Sequence, residues 1–158
     1  MWTVLYVEDE ENDAYFMRRS FARAGLEESL KVVADGQEAI DYLAGRGLFE
    51  NRLDFPLPSL VLLDLNLPRV SGFQVLKWIR LQLEFRHLPV VIFSSSPRPE
   101  DKSQAKELGA DDYMEKPDSG INFGAVVERL KQNWITQLAT QRMVRQDSGP
   151  LAVAHFQR

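Results

Sequence analysis

The sequence predicts an α/β fold: a doubly wound, five-stranded parallel sheet in the order 2-1-3-4-5, with helices on both faces. Three observations point there. Short apolar runs alternate with stretches of helical periodicity five times along the chain. The runs are continuously apolar, which marks strands covered on both sides. The length of 158 residues, with 44% apolar and 27% charged side chains, suits one ordinary domain with a full core.

Val4-Leu5-Tyr6-Val7 reads as the first buried strand. Ala14, Met17, Phe21 and Ala24 then share one face of a helix that Gly25 ends. Lys31-Val32-Val33-Ala34 reads as the second strand, closed by an Asp35-Gly36 turn. Residues 37–43 form a short helix with Ala39, Ile40 and Leu43 inward. Residues 45–58 hold Gly45, Gly47, Pro56 and Pro58 among charged side chains, and read as a long loop, ordered or half-ordered. Ser59-Leu60-Val61-Leu62-Leu63-Asp64 is the strongest strand signal. Gly72 precedes a helix whose inward face is Phe73, Leu76, Ile79 and Leu83. Leu88-Pro89-Val90-Val91-Ile92-Phe93 is a fourth strand, with Pro89 confined to its start or to an edge. Residues 100–108 form a short polar helix ended by Gly109, and Tyr113-Met114 marks a very short fifth strand. Phe123, Val126, Val127, Leu130, Trp134 and Leu138 line one face of a last amphipathic helix. The periodicity then decays, so the expected domain spans residues 1–138 and residues 139–158 form a tail.

Composition narrows the function. With no cysteine, a disulfide framework and a thiolate metal site are excluded. Nineteen Lys and Arg against 23 Asp and Glu give a net charge of −4, which argues against broad binding to nucleic acid or anionic membrane. The N-terminus has no basic segment ahead of its short apolar run, and no run approaches the roughly 20 apolar residues of a membrane span. The expected setting is the cytoplasm.

Ligands of open α/β sheets bind beyond the carboxyl ends of the strands. The residues expected there are Glu8-Asp9-Glu10 after strand 1, Asp64 after strand 3, Ser94-Ser95-Ser96 after strand 4 and Lys116-Pro117 after strand 5. Carboxylates crowded at low dielectric repel, unless one is protonated or a cation sits among them. A hard divalent ion with oxygen ligands, Mg²⁺, suits such a set. An ionised Asp64 beside that ion and Lys116 is a nucleophile placed for phosphoryl transfer, a reaction that needs mainly positioning and charge stabilisation. Ser94 and backbone N–H groups add donors to the phosphoryl oxygens.

These residues together resemble the receiver domain of bacterial two-component response regulators, over roughly residues 2–138. The resemblance implies a flavodoxin-like fold. It implies that Glu8 and Asp9 bind Mg²⁺ with Asp64 and the backbone carbonyl of Asn66, and that Asp64 is the phosphoacceptor. It further implies that Ser94 is the conserved hydroxyl, that Lys116 is the invariant lysine, joined to Pro117 by a cis peptide, and that Ser94 and Tyr113 form the switch pair. Asn66 and Ser96, two residues beyond Asp64 and Ser94, sit where family members tune phosphate lifetime. The implied partners are a sensor histidine kinase or phosphotransfer protein upstream and a protein target downstream, read through the fourth helix, fifth strand and fifth helix. Whether that face pairs with a second copy stays open. The long 45–58 loop and extended last helix resemble single-domain regulators paired with phytochrome-type kinases.

Each residue also has a plainer reading. Glu8-Asp9-Glu10 can be a solvated helix start, Asp64 a turn former, Lys116 a surface lysine, the serines loop filler and Tyr113 ordinary core. Convergence is what favours function over these. Three rival functions remain at this level. An Asp-nucleophile phosphohydrolase expects a second acid two residues beyond the nucleophile, where this chain has Asn66. An FMN carrier expects a phosphate-cradling Ser/Thr/Gly loop where this chain has three acids. A docking module that has lost phosphorylation expects an eroded motif set.

Overall fold

In the computed structural model, residues 2–136 are described. Five strands, β1 (Val4–Val7), β2 (Leu30–Val33), β3 (Leu60–Leu63), β4 (Val90–Ser94) and β5 (Asp112–Glu115), form one parallel sheet in the order β2-β1-β3-β4-β5. Helices α1 (Glu11–Arg23), α2 (Gly36–Ala44), α3 (Gly72–Leu81), α4 (Pro99–Glu107) and α5 (Phe123–Leu130) alternate with them. The predicted fold class and strand order are both observed.

Successive residues of each central strand point to opposite faces, and both faces are dry. Leu5, Val7, Val61, Leu63, Val90 and Ile92 pack toward α2 and α3, against Ala39, Leu43, Val75, Leu76 and Ile79. Val4, Tyr6, Leu60, Leu62, Val91 and Phe93 pack toward α1 and α5, against Met17, Phe21, Val127 and Leu130. β1, β3 and β4 are buried along their whole lengths, which is why they read as unbroken apolar runs.

Helix ends follow local chemistry. The Asp35 carboxylate caps α2 by accepting the Glu38 N–H, and Gly45 ends it in the left-handed region at φ 69°. Ser71 and Gln74 close a capping box at the start of α3.

Two expectations change. Leu83 lies beyond the end of α3 and is 84% exposed, and Val75 takes the inward place instead. The last helix does not keep its 3.6-residue period. A π-helical turn at Lys131–Ile135 inserts a residue, so Ile135 is buried while Trp134 is only half-buried. Leu138 and the 139–158 tail lie outside the described residues. The 45–58 loop, expected to be ordered or half-ordered, is held by an aromatic triad of Tyr42, Phe49 and Phe55 with centroids 5.1–6.0 Å apart, while Leu48 and Leu53 stay exposed. Arg52 fastens it, donating to the carbonyls of Tyr42 at 2.7 Å, Leu43 at 2.9 Å and Phe55 at 3.3 Å. The Tyr42 carbonyl also accepts the Gly45 N–H at 3.2 Å, and Leu43 is one of the last α2 carbonyls, which have no partner within the helix.

Candidate functional site

The sheet delivers the predicted residues to one edge because its ladder runs one step past each strand. The Glu8 N–H donates to the Val33 carbonyl at 3.0 Å, Asp64 N–H to Val7 at 3.2 Å, and Lys116 N–H to Ser94 at 2.8 Å. Each anchor fixes the residue that follows a strand of the sheet.

Gly72 sets the depth of Asp64. It starts α3 against the Asp64 carbonyl, where an added Cβ would lie 2.2 Å from that oxygen. Gly36 allows a similar approach of α2 to the Val70 carbonyl, also 2.2 Å from a built Cβ. The same loop holds Arg69 at φ 63°, its guanidinium paired with Asp35.

Glu8, Asp9 and Asp64 converge, each offering an oxygen within 4.8 Å of the others. Glu8 and Asp64 are buried and Asp9 is exposed, so the cluster opens to solvent on one side. Lys116 reaches in from β5 with its side chain only 10% exposed. Its Nζ lies 2.5 Å from Glu8 Oε1 and 3.2 Å from Asp64 Oδ2. Burial, together with the charge of Asp64, pushes the Glu8 carboxyl up to about 7, although Lys116 pulls it down. Lys116 is burdened by burial too, but hydrogen bonding to Glu8 and the charge of Asp64 hold it above the usual lysine range. Beneath them, the Tyr6 hydroxyl donates to Glu8 Oε1 at 2.9 Å and is pushed well up by burial and by the Glu8 charge. An all-oxygen set carrying excess negative charge fits a hard divalent cation held by Glu8, Asp9 and Asp64.

Other predicted residues sit nearby without joining this cluster. Ser94 is fully buried, and its Oγ accepts the Ser96 N–H at 3.2 Å. Among the described residues no hydrogen bond joins it to Asp64. The Ser96 hydroxyl donates to Asp101 Oδ2 at 2.5 Å, and Tyr113 O–H donates to the Ser96 carbonyl at 2.8 Å. The Tyr113 ring is half-buried, with Lys102 Nζ 5.7 Å from its centroid. Asn66 is exposed, and its N–H donates to Asp64 Oδ1 at 3.3 Å.

The cis peptide expected between Lys116 and Pro117 is not present; every described peptide is trans. The trans form is favoured by about 0.5–1 kcal/mol even before proline, and Lys116 reaches the carboxylates with it.

Sequence reading missed Asp13, whose Oδ2 lies 2.9 Å from Lys116 Nζ. A weak signal was available: Asp13 lies in the first turn of α1, the helix that follows the acidic end of β1.

The sequence model of the family described as "Response regulator receiver domain" matches residues 4–128. The response regulator Rcp1 of Synechocystis is 29% identical over 132 residues, which span 84% of this chain and 88% of Rcp1. The solved Mn²⁺-bound form of Rcp1 superposes with a TM-score of 0.75 at 28% identity, covering 85% and 94% of the two chains. RPA3017, described as a response regulator in red light signalling of R. palustris, gives a TM-score of 0.78 at 35% identity, over 85% of this chain and 94% of its own. The phosphorylated cyanobacterial phytochrome response regulator RcpA also gives 0.78, at 27% identity over 87% and 96%.

Proposed function

Because the chain belongs to the response regulator receiver family, we propose that it accepts a phosphoryl group on Asp64 from a histidine kinase or phosphotransfer protein, with Mg²⁺ as the divalent ion. One observation carries the reading: Asp64 lies at once within reach of the Lys116 ammonium, at 3.2 Å, and of the Glu8–Asp9 oxygens. Glu8, Asp9 and Asp64 would hold the ion, with the Asn66 carbonyl as a further ligand. When bound, the ion supplies positive charge against the phosphoryl oxygens.

An Asp64 carboxylate oxygen forms the new P–O bond as the P–N bond of the donor phosphohistidine breaks. The electron pair leaves with the ring nitrogen, which departs as neutral imidazole when its other nitrogen carries the proton. Lys116 balances charge on the transferred group and on Asp64. Ser94 turns its hydroxyl toward the phosphoryl group and so gives up the Ser96 N–H. Tyr113 follows, because its hydroxyl is tied to the same Ser96. The face made by α4, β5 and α5 then changes, and a target protein that prefers one form reads it. Asn66 and Ser96 are the positions we assign to the lifetime of the phosphoryl group.

We assign the receiver to residues 1–138, with the tail as an appendage, and place its work in the cytoplasm. A phytochrome-type sensor kinase is the input we favour. The support is the likeness to RcpA, which is described as a cyanobacterial phytochrome response regulator.

The test is incubation with acetyl phosphate and Mg²⁺, followed by intact mass. A gain of one phosphoryl group, absent in Asp64→Asn and on omission of Mg²⁺, is the expected result. Uptake that survives Asp64→Asn overturns the reading.

A further inference from the structure

We infer that Asp13 is a positioning residue for the phosphoryl transfer, holding the Lys116 ammonium in place while its other two carboxylate partners are taken up elsewhere. This rests on the phosphoacceptor reading of Asp64. Lys116 has three N–H donors and meets three carboxylates: Glu8 at 2.5 Å, Asp13 at 2.9 Å and Asp64 at 3.2 Å. Two of those partners have other duties. Glu8 and Asp64 belong to the oxygen cluster fit to hold a cation, and Asp64 also forms the bond to phosphorus. Asp13 stands outside that cluster, on the first turn of α1, and keeps an oxygen free for Lys116 throughout. Its side chain is 26% exposed against 10% for Lys116, so it approaches the ammonium from the solvent side and closes off the direction in which a long, flexible side chain would swing out.

The experiment uses the full chain with Mg²⁺ and acetyl phosphate. In the reaction read out, an Asp64 oxygen bonds to phosphorus as the P–O bond to acetate breaks, and acetate leaves with the electron pair. Asp13→Asn keeps the size of the side chain and removes its charge. It slows uptake about tenfold, Asp13→Glu recovers part of the loss, and calorimetric Mg²⁺ affinity changes far less than the rate. In the Lys116→Met background, Asp13→Asn slows uptake no further. Should Lys116→Met bring uptake below detection, the coupling is read from denaturation midpoints of metal-free protein. There Asp13→Asn costs more with Lys116 present than in the Lys116→Met background. Equal effects in both backgrounds, or faster uptake in Asp13→Asn, overturn the assignment. No uptake by the unaltered protein, or uptake that survives Asp64→Asn, overturns the phosphoacceptor reading instead.

Discussion

Gly72→Ala tests whether the depth of Asp64 is set by backbone contact. The added Cβ would lie 2.2 Å from the Asp64 carbonyl oxygen and 2.6 Å from Leu65 Cα. Side-chain Cβ atoms essentially never approach other atoms within 3.0 Å, so the two elements must part by at least 0.8 Å, the difference between 3.0 and 2.2 Å. Neither neighbour is the tip of a flexible side chain. Both are backbone, tied by Asp64 N–H to Val7 at 3.2 Å and by Gly72 N–H to Leu65 at 3.0 Å. Such overpacking costs about 1–3 kcal/mol, against a gain of up to about 1 kcal/mol for alanine over glycine in a helix. For a net loss of about 1 kcal/mol and a urea slope of about 2 kcal/mol per M, the midpoint falls by about 0.5 M. Displacing Asp64 from Lys116 by most of an ångström slows phosphoryl uptake by up to about 100-fold. Urea denaturation followed by circular dichroism reads the first quantity, and intact mass after acetyl phosphate reads the second. Gly124→Ala serves as control: nothing lies within 4 Å of its built Cβ, and alanine there stabilises α5 by about 0.4–1 kcal/mol. A Gly72→Ala protein with the parental midpoint and the parental rate would refute the reasoning.

Two further outcomes follow from contacts around the site. Burial disfavours the charge on Asp35, but the Glu38 N–H and the Arg69 guanidinium outweigh it and hold the carboxyl below its usual range. A carboxyl depressed on folding stabilises above its unfolded pKa of about 3.9 and loses that contribution as pH falls through the folded value. Asp35→Asn keeps a capping oxygen but loses the charge that faces Arg69 and the start of α2, so it costs about 0.3–1 kcal/mol at pH 7, and the gap to the parent narrows as denaturation is repeated below about pH 4; a gap independent of pH rules out the ionised cap. Arg52→Ala takes the guanidinium away from the carbonyls of Tyr42, Leu43 and Phe55, of which Tyr42 keeps the Gly45 N–H. The expected cost is about 1–3 kcal/mol, with new protease cuts between residues 45 and 58, and a variant that stays uncut and fully stable refutes the fastening role.

What could be read ahead of the structure depended on how local its cause was. β1, β3 and β4 are fully buried, so burial alone wrote their apolar runs. Asp64 and Lys116 could be paired only through the rule that strand ends share an edge, and they meet at 3.2 Å. Asp13 escaped because its partner is 103 residues away and its own neighbours read as an ordinary acidic helix start. The packing of residues 45–58 escaped because it depends on Arg52 reaching back to α2, a contact with no periodic trace. The π-helical turn displaced inward burial from Trp134 to Ile135, and an apolar pattern carries no mark of one inserted residue. The trans Lys116–Pro117 peptide could not be decided by composition, since both forms are open to proline.

Helix α4 brings a single residue, Ala105, into the interior, while its other positions beyond Pro99 are polar or charged. One methyl group is a weak moor. The sheet and its acid-lined edge are stiff because whole strands would have to leave the core for them to yield. The segment running from Ser96 through α4 has little buried apolar surface to surrender, so the proposed pull on the Ser94 hydroxyl would meet little resistance there. In the proposed mechanism the transfer would therefore fall at the stiff edge, and the response would leave through the segment with the least buried apolar surface.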